Sequence, residues 1–166
     1  MPERLAKDVM VPITEYATVG EEDSLKQALF TLRDSLASGH RTLAVLDKNG
    51  NLAGFLTTRT ILKTLETLAF KDNSLAGTGW KIPLVESWAR FFLKSKLEQA
   101  NEVKAKDVMR PVHKIFVRED TSLPEVTRTI LQNRVNHIPV LNEEQKVVGI
   151  IRAVDVLDII GNLLDS

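Results

Sequence analysis

Two short segments of this sequence place groups able to hold an anion at the start of a helix. The first is Gly54-Phe55-Leu56-Thr57-Thr58-Arg59-Thr60, and the second is Gly149-Ile150-Ile151-Arg152-Ala153-Val154-Asp155. A helix start presents N–H groups without intrahelical partners and the positive end of the helix dipole. Arg152 adds a planar fork that matches phosphate and stacks on rings. The Asp155 carboxylate is a natural acceptor for two neighbouring hydroxyls, Thr57 offers a hydroxyl, and Arg41 and Arg59 offer positive charge. Each also has a structural reading. Asp155 complements the helix dipole, Arg152 forms an ion pair of little energetic weight, and Thr57 and Thr60 cap a helix. His137, beside an apolar strand, fits a structural histidine as well as a ligand contact.

The same inventory argues against catalysis. There is no cysteine, no Ser-His-Asp set can be assigned, and no Gly-rich phosphate loop of the Walker type occurs. Of the three histidines, His40, His113 and His137, no two have the i, i+4 spacing of a metal pair. Lys plus Arg (22) balances Asp plus Glu (22), which disfavours nucleic-acid and membrane binding. No stretch approaches the roughly 20 apolar residues of a membrane helix, and Glu3, Arg4, Lys7 and Asp8 interrupt any secretory signal. The expectation is a soluble cytoplasmic protein that is not an enzyme, has no metal site and requires no cofactor.

The elements that must position these residues occur twice. Ala6-Lys7-Asp8-Val9-Met10-Val11-Pro12 returns as Ala105-Lys106-Asp107-Val108-Met109-Arg110-Pro111. In the first copy Tyr16-Ala17-Thr18-Val19 reads as a strand. Ser24 opens a helix with Gln27 at capping-box spacing and Gly39 as its stop. Leu43–Leu46 and Leu52–Leu56 flank Asn49-Gly50, the signal of a tight hairpin. A helix from Thr57-Thr58 through Leu65 closes the copy. In the second, Lys114–Val117 is the strand, Ser122 with Glu125 repeats the capping spacing, and His137–Leu141 with Val147–Ile151 repeats the hairpin. The last helix, 154–164, is so apolar that it predicts burial between the repeats or between subunits. Asp8 and Asp107 read as local caps, and Met10 and Met109 as core. Gly54 and Gly149 mark close backbone approach, to a ligand or to a neighbouring strand.

Between the copies, residues 66–104 form an insert: a loop over 72–79 and an amphipathic helix over 84–100 carrying Trp88, Phe91 and Phe92. Its aromatics pack on the protein itself, complete a subunit contact, or dock another protein. The domain reading is 1–65 for the first repeat, 66–104 for the insert and 105–166 for the second repeat.

Asp-Val-Met near each start, the Ser-Leu helix openings, the Ile138-Pro139-Val140 strand and the glycine before each last helix together resemble the CBS domain, named after cystathionine β-synthase. The pair resembles a Bateman module. This implies an α+β fold of two pseudo-twofold-related repeats, each β-α-β-β-α, with a helical insert between them, and a homodimer of such pairs. Members of the family bind AMP, ADP, ATP or S-adenosylmethionine and regulate an enzyme, channel or transporter.

The family pattern has a Ser or Thr holding phosphate and, three residues on, an Asp holding ribose. The first repeat keeps Thr57 and the strand threonine Thr18 but has Thr60 in place of the Asp. The second keeps Asp155 but has Arg152 in place of the hydroxyl and Phe116 in place of the strand threonine. The resemblance favours the second cleft, with Asp155 on ribose, Arg152 and His137 on phosphate, and Ile138 with Ile115 against adenine beside Pro139. The first cleft, with Thr18, Arg41, Thr57 and Arg59, suits phosphate but not ribose. The expected function is a stand-alone regulatory module that binds an adenosine nucleotide in an inter-repeat cleft and signals to a separate effector protein. The alternative is a ligand-free dimerisation or docking scaffold that uses the aromatic insert.

Overall fold

Serine and glycine punctuation sets the local structure. In the computed structural model, which describes residues 3–70, 98–112 and 114–165, the chain forms two compact units. The helix predicted over 84–100 falls almost wholly outside the described residues, as does His113.

The unit formed by residues 17–111 contains β2 (Thr18–Gly20), α2 (Leu25–Ser35), β3 (Thr42–Leu46), β4 (Leu52–Thr57), α3 (Thr58–Phe70), α4 (Ala105–Val108) and β5 (Arg110–Pro111). Its sheet runs in the order β2-β3-β4-β5. The β2–β3 pair is parallel, with α2 as the crossover, while β3–β4 and β4–β5 are antiparallel. The predicted capping box exists: Ser24 Oγ accepts from Gln27 N at 3.1 Å, and Gln27 Oε1 accepts from Ser24 N at 2.8 Å. After a 3-10 turn, Gly39 ends the segment in the left-handed region with φ 79°. Leu25, Leu43, Leu56 and Ile61 are fully buried at the centre, each contributing about 1.5–3 kcal/mol of apolar burial.

The other unit, residues 1–16 and 112–166, contains α1 (Ala6–Val9), β1 (Val11–Pro12), β6 (Val117–Arg118), α5 (Leu123–Asn133), β7 (His137–Leu141), β8 (Val147–Arg152) and α6 (Ala153–Leu164). Its sheet order is β1-β8-β7-β6. Ile138, Val140, Ile151 and Val126 fill its core. Here the expected capping box is not formed. Ser122 makes no side-chain cap bond, and Pro124 occupies the first turn.

Each sheet therefore takes its fourth strand from the other sequence repeat. β1, from the first repeat, pairs with β8 through Val11 opposite Ile150 and Pro12 opposite Gly149. β5, from the second, pairs with β4 through Gly54 opposite Pro111 and Phe55 opposite Arg110. The same backbone bonds dock both segments. Ala6 N donates to Thr121 O and Ala105 N to Asp23 O, each at 2.8 Å. Asp8 Oδ2 and Asp107 Oδ2 accept the N–H three residues upstream, at 2.9 and 3.3 Å, which makes both aspartates local caps.

The hairpin turns are longer than Asn49-Gly50 predicts. A two-residue turn of that type needs positive φ at both positions, and in this turn Gly50 alone has it, at 79°. Gly50 N closes on Asp47 O at 3.0 Å, and Asp47 Oδ1 accepts from Asn49 N and Asn51 N. In the second hairpin Gln145 takes the same place with φ 63°, and Asn142 Oδ1 accepts from Lys146 N at 3.0 Å. The last helix is also less enclosed than its composition predicts. Val156 is buried, but Val154, Leu157, Ile160 and Leu164 are exposed along α6.

Candidate functional site

The β8–α6 junction brings polar side chains together beside the apolar core of its unit. Strand β8 ends at Arg152 because α6 begins there, and one turn places Asp155 beneath the guanidinium. Arg152 Nη2 donates to Asp155 Oδ1 at 2.5 Å and Nε to Oδ2 at 2.8 Å, while Arg152 N donates to Oδ2 at 3.1 Å. Two carboxylate oxygens thus accept three N–H donors from one residue. Both side chains are largely enclosed, at 22% and 15% exposure, so solvent screens this fork far less than a surface pair. The proximity of Asp155 raises the Arg152 pKa above its usual value.

His137 lies directly across the β7–β8 ladder from Arg152. Burial, followed by the Arg152 charge, pushes its imidazole down to about 4, with Asp155 acting in the opposite sense. Tyr16, buried at the end of the amino-terminal segment, is the fourth member of this cluster. Burial pushes its phenol up to about 12, and Arg152 and Asp155 both act on it electrostatically. The sequence pattern puts Tyr16 inside a predicted strand, with nothing to single it out. That strand instead starts at Thr18, which leaves Tyr16 in the unit that contains β8 and α6.

The remaining candidates of this repeat lie apart from that cluster in character. Ile138 is fully buried in the core, Ile115 packs partly buried against it, and Pro139 is buried in β7. Phe116 is 42% exposed and precedes β6, because the strand begins one residue later, at Val117. The first N–H groups of α6 are taken as well. Arg152 N is bound to Asp155, and Ala153 N donates to Asn136 O at 2.9 Å.

At the β4–α3 junction, Thr57 Oγ1 accepts from Thr60 N at 3.1 Å and lies 2.9 Å from Thr60 Oγ1. Thr57 is therefore the cap of α3, and Thr60 is its partner. Arg41 enters through its backbone, whose carbonyl accepts from Thr58 Oγ1 at 3.1 Å. An open groove along α3 is lined by Arg59, Thr60, Lys63, Asp107 and Arg110, among others, but not by Thr18, Arg41 or Thr57. Thr18 pairs with Ala44 in the sheet, and Arg59 lies exposed on the helix.

Gly54 and Gly149 have a packing explanation. A Cβ on Gly149 would meet Met10 Sδ at 2.5 Å, and one on Gly54 would meet Arg110 O at 2.5 Å and Met109 Sδ at 2.8 Å. Among the described residues no group of three or more His, Asp or Glu could hold a metal ion, and no described helix is long and apolar enough to cross a membrane.

Comparison with known proteins matches this architecture. An uncharacterized protein of Methanocaldococcus jannaschii is 27% identical over 161 residues, covering 93% of this chain and 89% of its own length. The structure of the CBS-pair protein CBSX2 from Arabidopsis thaliana superposes with a TM-score of 0.67 at 20% identity, covering 99% of each chain. A structure of CBSX2 in complex with AMP gives 0.64 at 20% identity over 96% of this chain and 97% of that one. The cytosolic domain of the Mg2+ channel MgtE, in complex with ATP, gives 0.60 at 24% identity over 93% of this chain and 48% of that one. Residues 6–67 and 105–162 each match the family model of the CBS domain, and the chain belongs to the CBS-domain family as a tandem pair.

Proposed function

We propose that this CBS pair is a non-catalytic regulatory module that binds an adenosine nucleotide at the β8–α6 junction and passes the bound state to an effector protein. The observation that carries the reading is the Arg152–Asp155 pair with His137 across the strand: a guanidinium fork of the shape that suits phosphate, a carboxylate of the kind that accepts from a diol, and a half-buried imidazole at one junction. CBS-pair structures with AMP and ATP support the ligand class. AMP, ADP, ATP and S-adenosylmethionine are the candidates. In this reading Asp155 takes the ribose, Arg152 and His137 take phosphate, and the ring lies near Ile115 and the exposed Phe116 and not against Ile138, which is fully buried in the core, with no cofactor required. The exposed stripe Val154, Leu157, Ile160 and Leu164 on α6 joins two copies into a homodimer in the cytoplasm. The nucleotide must bind one conformation better than another for any signal to pass.

A second reading, a ligand-free docking scaffold, draws on the same pair, because three N–H groups of Arg152 already occupy most of the acceptor sites of Asp155. A thermal-shift series with the four ligands separates the two. A ligand that binds only the folded state at a hundred times its Kd adds about 2.7 kcal/mol, or a few degrees in Tm. The sensor reading expects a shift that disappears in Asp155→Asn. No shift with any ligand would favour the scaffold.

A further inference from the structure

We propose that Arg152 makes the β8–α6 site selective for phosphorylated adenosine ligands over the bare nucleoside, by holding Asp155 until a phosphate draws the guanidinium away. This rests on the nucleotide reading given above. The geometry defines the exchange. Asp155 Oδ1 and Oδ2 already accept Nη2, Nε and N of Arg152 at 2.5, 2.8 and 3.1 Å, so a ribose diol meets a carboxylate with three of its roughly four acceptor sites taken, and its two hydroxyls must displace at least one of those donors. Replacing charge-assisted bonds by neutral hydroxyl bonds is unfavourable, and it would take from Arg152, 22% exposed, the carboxylate that its fork binds.

A nucleoside brings no charge to replace that carboxylate. A phosphate does, because it presents the same bidentate edge as a carboxylate and carries negative charge. Moving the guanidinium from Asp155 to phosphate keeps it neutralised and frees the carboxylate for the ribose in the same step. The backbone bond from Arg152 N to Asp155 Oδ2 does not depend on the side chain, so the carboxylate stays in place when the fork leaves. The other repeat has no such gate. Thr57 stands where Arg152 does, and its partner is the hydroxyl of Thr60 at 2.9 Å, with no charge on either side. Arg152 is thus a specificity-determining residue, contributed by a departure from the pattern of the first repeat.

The test is titration calorimetry of the full chain with adenosine and with AMP, on wild type, Arg152→Thr and Asp155→Asn. Asp155→Asn identifies which binding heat belongs to this site. In wild type, AMP is expected to bind about tenfold or more tightly than adenosine at the Asp155-dependent site. In Arg152→Thr the gap narrows to about threefold or less, mainly because adenosine gains affinity. Thr is native at the matching position of the first repeat. Should Arg152→Thr melt early, Arg152→Gln carries the same expectation, since it keeps an amide donor without the charge. Equal affinity of wild type for both ligands, or an unchanged gap in the variants, overturns the gate and leaves nucleotide binding standing. No Asp155-dependent binding of either ligand by wild type or variant overturns the gate and the nucleotide reading together.

Discussion

Met10 Sδ lies 2.5 Å from the point where a side chain on Gly149 would begin. The two residues belong to different sequence repeats and to the same compact unit, and Met109 stands in the same relation to Gly54. The glycines leave room for methionines that immediately precede the exchanged strands β1 and β5, which gives both residue types a packing role.

Substituting either glycine should therefore cost stability without touching a ligand group. Gly54→Ala meets the Arg110 carbonyl, which cannot swing aside, and should lose about 2–3 kcal/mol or more. Gly149→Ala meets the thioether first, so adding Met10→Ala should recover part of its loss, more than Met109→Ala recovers for Gly54→Ala. Urea unfolding of the four single and two double variants checks this. Single glycine variants within about 0.5 kcal/mol of wild type would remove the packing account.

The Arg152–Asp155 fork should show strong coupling in a double-mutant cycle. Asp155→Ala removes the carboxylate that the Arg152 fork binds and should cost about 1–3 kcal/mol. The double variant Arg152→Met with Asp155→Ala should be less damaging than the sum of its parts by more than about 1 kcal/mol. Additive losses would mean that the pair behaves as two independent surface charges.

His137 makes stability fall on mild acidification. Its pKa is about 4 in the fold against 6.5 for the ordinary imidazole, so between those values the unfolded chain binds more protons than the folded one. Stability consequently drops as pH falls from about 6.5 towards 4. Each pH step of one between those values is worth at most roughly 1.4 kcal/mol, so the whole loss is at most about 3.5 kcal/mol. Below pH 4 this contribution no longer changes. Urea midpoints for wild type and His137→Asn at about pH 7 and about pH 5, on either side of the ordinary imidazole value, provide the check. An equal loss in both proteins would assign the acid sensitivity to other groups.

The two hairpin turns provide an internal control. Gln145 adopts φ 63° where the first repeat uses Gly50 at 79°. Left-handed geometry costs a residue with a Cβ about 1 kcal/mol. Gln145→Gly should raise the unfolding free energy by somewhat less than that, given the added freedom of the unfolded chain, and Gly50→Gln should lower it by a comparable amount. Thermal melts that move Gln145→Gly downward would show that the Gln145 side chain makes a contact outweighing its backbone strain.

Much of the local structure was legible from spacing alone. Ser24 with Gln27 fixed one helix start, Gly39 its stop, and the apolar runs around 43–56 and 137–151 gave both hairpins, because caps and strand pairs depend on neighbours within a few residues. The same logic failed at Ser122, where Glu125 has the right spacing but no cap bond forms. It also missed β1 and β5, since a two-residue strand carries no periodicity. At the candidate site, Arg152, Asp155 and His137 were visible as chemistry, whereas Tyr16 was hidden inside an apparent strand.

By itself the sequence determined a twofold repetition, the kinds of elements in it and the polar groups at two helix starts. It could not assign Ala6–Met10 and Ala105–Met109 to their hairpins, because these five residues are identical in the two copies and local propensity cannot tell them apart. Only the tertiary structure decided that each copy docks on the hairpin of the other repeat, where a glycine leaves room for its methionine. It also decided that Arg152 and Asp155 engage one another. Their i, i+3 spacing permits that bond, but the surroundings it acts on come from elsewhere in the chain: His137 across the ladder and Tyr16 both feel the charges of the pair.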